Sequence, residues 1–156
     1  EEERQHFVKA RKSARSRNAM ADLEQGMVIN KMNLKSGQCL SVSGVIPHGV
    51  SRFTLNFGQD TSVTVLHFSG RFDYYSDKRT ILCNSKGENG WGEELRYTHF
   101  PFNHGEETKL CITWHKDHLD IKLPDGNGIV FPNRMELEDC NFLNAENFHV
   151  TCVQIN

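Results

Sequence analysis

The sequence lacks the features that mark a membrane protein or a nucleic-acid binder. No segment approaches the roughly 20 consecutive apolar residues that a membrane-spanning helix needs. A net charge of -2 over 156 residues gives no overall attraction for phosphate, so nucleic acid is not an expected partner. A chain of this length is expected to form one domain and to bury a core without cross-links.

Cysteine spacing gives no framework for disulfides or zinc. The five cysteines are odd in number and contain no Cys-x-x-Cys pair. Most of them lie in strand-like runs, where a free thiol packs as a small hydrophobe. No Asn-x-Ser/Thr acceptor site is present, and the first residues carry no apolar signal run. We therefore expect cytoplasmic synthesis with reduced thiols, so that an extracellular role would need non-classical secretion.

Residues 1–26 differ in composition from the rest of the chain. Six basic residues and three glutamates give the first twenty residues a net charge of +3. Such a tail is either a basic arm for a partner or a solvated extension, and we favour a flexible or tag-derived extension. The predicted domain then covers residues 27–156.

Short alternating segments dominate residues 27–156. In residues 52–57 the apolar side chains of Phe53, Leu55 and Phe57 share one face. Comparable segments, each bounded by Gly, Pro, Asn or Asp, lie at 28–32, 39–45, 64–72, 82–85, 109–114, 119–123, 129–131 and 148–155. Helical periodicity is absent. These features predict an all-β protein, an antiparallel sandwich of two sheets.

Three neighbouring segments place polar side chains on one face of the predicted sheet. Successive residues of a strand point to opposite faces, so residues 64–72 separate into an apolar row and a polar row. Residues 82–85 and 91–96 add an amide, two charged groups and a glycine-flanked indole. The expected exposed polar surface comprises His67, Ser69, Arg71, Asn84, Trp91, Glu94 and Arg96.

This set of side chains suits a sugar. A pyranose ring presents hydroxyls that donate and accept hydrogen bonds, together with one apolar face of C–H bonds. Arginine donates in a fixed fork, Glu94 accepts, Asn84 does both, and the indole of Trp91 can lie against the apolar face. A row of His67, Ser69 and Arg71 around one hydroxyl would favour the axial hydroxyl of galactose.

The charged groups are expected to hold one another. We expect Glu94 to lie between Arg71 and Arg96, with Asp77 nearby, so that each fork is oriented before a ligand arrives. Because a shallow site gains only about 1.5–3 kcal/mol per charge-assisted hydrogen bond, we expect weak monosaccharide binding and a gain from multivalency. An extended subsite for outer sugars is predicted at Arg52, Thr54, Tyr75 and Asp77.

Metal and catalytic interpretations are weaker. His115, His118 and Asp120 have ligand chemistry, but the two residues between the histidines are typical of a hairpin turn, which favours a surface loop. Glu93 and Glu94 resemble a glycosidase pair, but adjacent residues of a strand face opposite ways. Neither a Gly-x-Ser-x-Gly elbow nor a phosphate loop occurs. We therefore expect no enzymatic activity, no cofactor and no metal.

The order of these motifs resembles that of the galectins, the β-galactoside-binding lectins. The sequence carries His-Phe-x-x-Arg-Phe from His67, Cys-Asn-Ser from Cys83, Trp-Gly-x-Glu-x-Arg from Trp91 and Phe-Pro-Phe from Phe100. The resemblance, which runs from about residue 27 to residue 156, implies a jelly-roll β-sandwich of the galectin and legume-lectin type. It also implies galactoside contacts from His67, Arg71, Asn84, Trp91, Glu94 and Arg96.

The sequence departs from the galectin pattern at Ser69 and Gly70, where the family usually has Asn-Pro. The serine is shorter and replaces an amide with a hydroxyl, so a galactose contact is expected to be lost or passed to water. The glycine is expected to loosen the strand end. Two functions stay open: a lectin with altered specificity, or a galectin-fold structural or protein-interaction component that has lost sugar binding.

The resemblance further implies a homodimer that cross-links glycoconjugates. Single-domain galectins pair through edge strands near both termini, which correspond here to residues 28–32 and 148–155. An unpaired sheet edge is a natural place for two chains to join.

Overall fold

The computed structural model describes residues 25–156, which form two antiparallel sheets packed face to face. The predicted tail lies almost wholly outside the described residues. The first sheet contains, in spatial order, β1 (Gln25–Lys35), β11 (Asp139–Glu146), β3 (Arg52–Gly58), β4 (Thr64–Tyr74), β5 (Asp77–Gly87) and β6 (Gly90–Trp91), with β7 (Leu95–Tyr97) also paired to β5. The second contains β10 (Gly128–Pro132), β9 (His118–Lys122), β8 (Glu107–Trp114), β2 (Cys39–Val45) and β12 (His149–Ile155).

The hydrophobic core lies between the two sheets, as the alternating pattern predicts. Phe53, Leu55 and Phe57 of β3 are all fully buried, and from the other sheet Trp114 and Phe131 pack into the same core. The prediction of an all-β antiparallel sandwich is confirmed. Within residues 25–156 no helix is long and apolar enough to cross a membrane.

The second sheet keeps one face in solvent, which is why its strands are easy to find in the sequence. In β10, Ile129 and Phe131 are buried while Val130 between them is 64% exposed. Such a half-buried strand shows the period of two directly in its residue types.

The prediction was wrong at β1 and β11. β1 extends beyond residues 28–32 in both directions, from Gln25 to Lys35. Its register shifts between Asn30 and Leu34, where Lys31 and Asn33 have positive φ, and this bulge breaks the alternation. β11 was missed altogether because Asp, Asn and Ala have low strand propensity. It nevertheless lies between β1 and β3 in the sheet.

The segment 91–96 is not one strand. Gly90 has a φ of 95°, which closes the tight turn after β5, and β6 ends at Trp91. β7 then pairs with Ile81, Leu82 and Cys83 of β5. Residues 92–94 therefore leave the sheet edge beside Asn84, and the gap in strand pairing opens space next to that amide.

Candidate functional site

Six of the seven predicted site residues line one cleft of about 440 Å³ on the outer face of the first sheet. Two predicted subsite residues, Tyr75 and Asp77, border the same space. The six are His67, Arg71, Asn84, Trp91, Glu94 and Arg96. The strands β4, β5, β6 and β7 supply five of them, because outward residues of neighbouring antiparallel strands stand side by side, as His67 and Asn84 do. Glu94 comes from the connection between β6 and β7.

The polar face is more buried than the sequence suggests. His67 and Arg71 are each 6% exposed and Asn84 is 3% exposed, whereas Glu94 and Arg96 at the rim are exposed. Buried polar groups need hydrogen-bond partners, so the floor of the cleft is a network of side chains fixed by one another.

Asp77 is the centre of the charge network, and the expectation that Glu94 would lie between the two arginines was wrong. Asp77 Oδ2 accepts from Nη1 of Arg71 at 2.7 Å, and Oδ1 accepts from Nε of Arg96 at 2.9 Å. Glu94 pairs with Nη1 of Arg96, at 3.0 Å. The buried carboxylate therefore fixes both guanidinium groups, while Glu94 keeps half of its surface in the cleft mouth.

The electrostatics of Asp77 follow from these contacts. Burial alone would raise its pKa, but the hydrogen bonds from Arg96 and Arg71 and the two positive charges outweigh burial, so the pKa is lowered. The pKa of Arg96 is raised, first by its hydrogen bond to Asp77. Asp77 and Arg96 are therefore ionised at neutral pH.

His67 is oriented by a chain of amides that runs across the sheet. Its Nδ1 lies 2.6 Å from Oδ1 of Asn56, and Nδ2 of Asn56 donates to Oδ1 of Asn144 at 2.7 Å. Because the amide nitrogen of Asn56 donates to Asn144, its oxygen faces Nδ1 of the histidine and fixes the orientation of the ring.

Asn84 is held in the gap between β6 and β7 by partners that the sequence did not suggest. Its Oδ1 accepts from Nη1 of Arg134 at 3.1 Å and from the backbone N–H of Ser85 at 2.8 Å. Its Nδ2 donates to the carbonyl oxygen of Gly92 at 3.0 Å. Arg134 also donates to Ser85 Oγ and to the carbonyl oxygen of Glu93, so it ties the loop after Trp91 to β5.

Trp91 stands at one side of the cleft. Its indole meets the ring of His67 edge to face, with centroids 5.1 Å apart at 66°. Nζ of Lys86 lies 5.7 Å from the indole centroid. Nε1 of Trp91 is buried and has no hydrogen-bond partner among the described residues. The indole is thus a half-buried apolar plate beside polar groups, the combination that a sugar ring requires.

Ser69 and Gly70 occupy the centre of β4 rather than a loose strand end. Ser69 is fully buried, lies outside the cleft lining and accepts a 3.4 Å hydrogen bond from Nε of Arg71. A Cβ on Gly70 would meet a ring carbon of Phe53 at 2.2 Å. Ser69 therefore supports Arg71 from below, and Gly70 makes room for a core phenyl ring.

Two residues of the predicted extended subsite are not on the surface. Arg52 and Thr54 share the outward face of the site, but both are fully buried. The guanidinium carbon of Arg52 lies 3.7 Å from the centroid of the Tyr74 ring, and Oγ1 of Thr54 donates to Glu146 at 2.7 Å. The expectation that they present surface to an outer sugar was wrong. Tyr75, in contrast, is 59% exposed at the cleft margin.

Glu93 and Glu94 differ in position, but not through the strand alternation that was expected to separate a glycosidase pair. Glu93 and Glu94 are not in a strand, so alternation does not separate them. What distinguishes them is that Glu94 borders the cleft and is paired with Arg96, whereas Glu93 lies outside the lining. An acid with a raised pKa needs an apolar pocket, and this cleft is charged.

The residues that hydrogen-bond to the polar face of the first sheet, but were not predicted from the sequence, fall into two groups. Asn56 shares the outward face of β3 with Thr54, so the period of two in residues 52–57 carried a signal for it. Asn144 and Glu146 lie in the strand that was not predicted, and Arg134 reaches the site from the connection between β10 and β11. No local pattern connects these three residues with the cleft.

Comparison with known proteins identifies close relatives of this architecture. The galactoside-binding lectin family matches residues 26–155. Mouse Galectin-1 is 43% identical over 129 residues, which cover 82% of this chain and 96% of the mouse protein.

Solved structures agree with the sequence comparison. The complex of toad ovary galectin with N-acetylgalactose is 36% identical, covers 84% of this chain and 98% of that chain, and has a TM-score of 0.81. CG-16, a homodimeric agglutinin from chicken liver, is 35% identical, covers 85% of this chain and all of its own, and has a TM-score of 0.80. The family is one of carbohydrate-binding lectins and not of enzymes. By sequence and by fold, this chain belongs to the galectins, the galactoside-binding lectins.

Proposed function

We propose that the chain is a non-enzymatic lectin that binds β-galactoside glycans in the cleft beside Trp91. The main support is that the indole of Trp91 lines the same cleft as Arg71 and Arg96. Both guanidinium groups are already held by the buried carboxylate of Asp77. The groups that a pyranose needs are therefore in position before it arrives, which lowers the ordering cost of binding. The toad relative, solved with N-acetylgalactose, supports the same ligand class.

Each side chain has a specific role in this proposal. The imidazole of His67 and the donors of Arg71 meet one hydroxyl, which is the arrangement expected for the axial hydroxyl of galactose. Asn84 offers its remaining amide hydrogen, and Glu94 with Arg96 binds hydroxyls at the rim. Tyr75 borders the position of an outer sugar.

Isothermal titration with lactose, N-acetyllactosamine and a methyl mannoside tests the proposal. The two galactosides are expected to bind and the mannoside is not. Trp91→Ala and Glu94→Gln are expected to weaken lactose binding at least tenfold, about 1.4 kcal/mol. Glu93→Gln is the matched control, since Glu93 lies outside the cleft lining, and it should bind as the unmodified chain does. Unchanged lactose binding by Trp91→Ala or Glu94→Gln contradicts the proposed contacts.

The second function, a galectin-fold interaction component without sugar binding, is favoured by the burial of Ser69. Its hydroxyl lies beneath Arg71 and outside the cleft, so it offers no direct contact to a sugar. This interpretation predicts no heat of binding with any galactoside from a folded protein. Ser69→Asn, which restores the amide usual in the family, would then recover lactose binding.

We further propose that two chains pair through the edges formed by β1 and β12. Among residues 25–156, each of these strands hydrogen-bonds to one neighbour only, so each leaves an edge for a second chain. The chicken relative is a homodimeric agglutinin, in agreement with such pairing. Sedimentation equilibrium measures the mass directly. Val28→Asp, at a position 42% exposed on β1, is expected to convert a dimer to a monomer. If the unmodified chain is a monomer at every concentration tested, the proposed pairing is refuted.

A further inference from the structure

The hairpin between β8 and β9 brings together a second group of polar side chains, in the other sheet from the sugar cleft. His115 follows β8, and His118 and Asp120 lie in β9. Each offers one ligand atom, and these atoms all lie within 4.8 Å of one another. Alternation explains the arrangement: Leu119 is buried in the core, so the residues on either side of it face outward.

Two of the three ligand–ligand separations are close to those in a tetrahedral metal site, and the third is within 4.8 Å. Oδ2 of Asp120 lies 3.2 Å from Nε2 of His115 and 3.3 Å from Nε2 of His118. Nitrogen and oxygen ligands at about 2.0–2.2 Å from a tetrahedral Zn²⁺ are about 3.3–3.5 Å apart. The two imidazole rings are stacked with centroids 4.5 Å apart and direct Nε2 toward the same oxygen.

One imidazole already has the outer partner that metal-binding histidines need. Oδ1 of Asp117 lies 2.7 Å from Nδ1 of His118. A carboxylate at Nδ1 keeps the proton on that nitrogen and leaves Nε2 as a ligand, the arrangement found around protein-bound zinc.

The backbone of the hairpin is fixed from the inside. Asn133 is 2% exposed, and its Nδ2 donates to the carbonyl oxygen of His115 at 2.9 Å. Its backbone N–H donates to the carbonyl oxygen of Asp117 at 3.1 Å, and the N–H of His115 donates to the carbonyl oxygen of His118 at 3.0 Å. The three ligand positions are therefore held by the fold, which reduces the cost of assembling a site.

We propose that His115, His118 and Asp120 bind a divalent cation of the zinc class, with water in the fourth position. Two imidazoles and one carboxylate suit Zn²⁺ better than Mg²⁺ or Ca²⁺, which take mainly oxygen ligands. The three side chains are 34%, 33% and 49% exposed, so the ion enters from solvent without opening the fold. Spacing in the sequence favoured an ordinary surface loop because it could not show that the side chains converge.

Zinc titration of the full chain tests this site by isothermal calorimetry in a non-coordinating buffer. One ion per chain is expected to bind. His118→Ala and Asp120→Asn should weaken binding at least tenfold. Asp117→Asn, which alters only the outer partner, should weaken it 10- to 100-fold. His149→Ala, at an exposed position on β12, is the matched control and should leave binding unchanged.

Cobalt(II) serves as a spectroscopic probe that separates this site from the thiols. Binding by imidazole and carboxylate gives visible absorption without the intense near-ultraviolet band of a thiolate ligand. Near-ultraviolet circular dichroism and urea denaturation check that each variant is folded, and the isosteric Asp120→Asn decides if His118→Ala does not fold. The proposal is overturned if no ion binds, if a thiolate band dominates, or if Asp120→Asn binds as the unmodified chain does.

Discussion

Replacing Asp77 with asparagine tests the central claim about the sugar cleft, that one buried carboxylate fixes two guanidinium groups. Asp77→Asn removes the charge and keeps the size of the side chain. Arg71, whose side chain is 7% exposed, then loses its carboxylate partner at 2.7 Å. Arg96, 43% exposed, loses its 2.9 Å partner but keeps water and Glu94.

The expected loss of stability on Asp77→Asn follows from the burial of the Arg71–Asp77 ion pair. Removing one partner of a buried ion pair costs about 3–5 kcal/mol, because a buried charge is left uncompensated. The asparagine oxygen still accepts one hydrogen bond, and water reaches the cleft. We therefore expect the free energy of unfolding to fall by about 3 kcal/mol, the lower end of that range. The exposed contact with Arg96 adds less than about 1 kcal/mol. The affinity for lactose is expected to fall at least tenfold, because Asp77 no longer holds the guanidinium groups of Arg71 and Arg96 in place.

Urea denaturation at fixed protein concentration measures the first effect, and calorimetric titration with lactose measures the second. Asp73→Asn is the matched control. It lies in the same hairpin and pairs with Lys78 at 2.9 Å, but the two side chains are 68% and 73% exposed. We expect it to leave the denaturation midpoint and lactose binding unchanged.

The pH dependence supplies an independent check with a definite sign. The pKa of Asp77 is lower in the folded state than in the unfolded state, so its carboxylate stabilises the fold above the ordinary aspartate pKa of about 3.9. That contribution is lost as the pH falls through the lowered folded pKa. The difference in free energy of unfolding between the unmodified chain and Asp77→Asn should therefore be largest at pH 7 and decrease as the solution is acidified. Equal losses from Asp77→Asn and Asp73→Asn, or a difference that persists in acid, would refute the reasoning.

Three further predictions concern the scaffold. Gly70→Ala should lower the free energy of unfolding by about 1–3 kcal/mol, measured by urea denaturation, because its Cβ would lie 2.2 Å from a core phenyl ring. Arg134→Ala should weaken lactose binding by about 1 kcal/mol in calorimetry, because the oxygen of Asn84 loses a charged donor at 3.1 Å. Cys152 should react with a thiol reagent well before Cys140 in timed mass spectrometry, because burial raises the pKa of the Cys140 thiol to about 12.

Each of these has a control within the chain. Gly128→Ala, whose Cβ would have its nearest neighbour at 3.7 Å, should leave stability nearly unchanged. Arg79, like Arg134, donates to a carbonyl oxygen and lies over a phenyl ring, but its partner is Phe100 and not Asn84, so Arg79→Ala should leave lactose binding intact. Unchanged stability of Gly70→Ala would contradict the predicted clash with the core phenyl ring. Equal lactose binding by the two arginine variants would contradict the role of Arg134, and equal labelling of Cys140 and Cys152 would contradict the effect of burial on the Cys140 thiol.

Local pattern was sufficient for most of the strands and for much of the cleft lining. The period of two in residues 64–72 assigned His67 and Arg71 to one face because side-chain direction in a strand depends only on position parity. Where parity was interrupted, the prediction was wrong. The bulge at Asn30 to Leu34 hid the length of β1, and the gap after Trp91 removed Glu94 from the strand that was expected to carry it.

Alternation and side-chain chemistry were enough to predict the two-sheet fold class, the polar face and the residue types that line the cleft. Which of these groups hydrogen-bond to one another depends on the tertiary structure. Asp77 and not Glu94 lies between the arginines, Arg134 reaches Asn84 from 50 residues away, and His115 meets Asp120 across a turn. Contacts of this kind depend on register and loop path, which are set by packing of the whole chain and not by any local pattern.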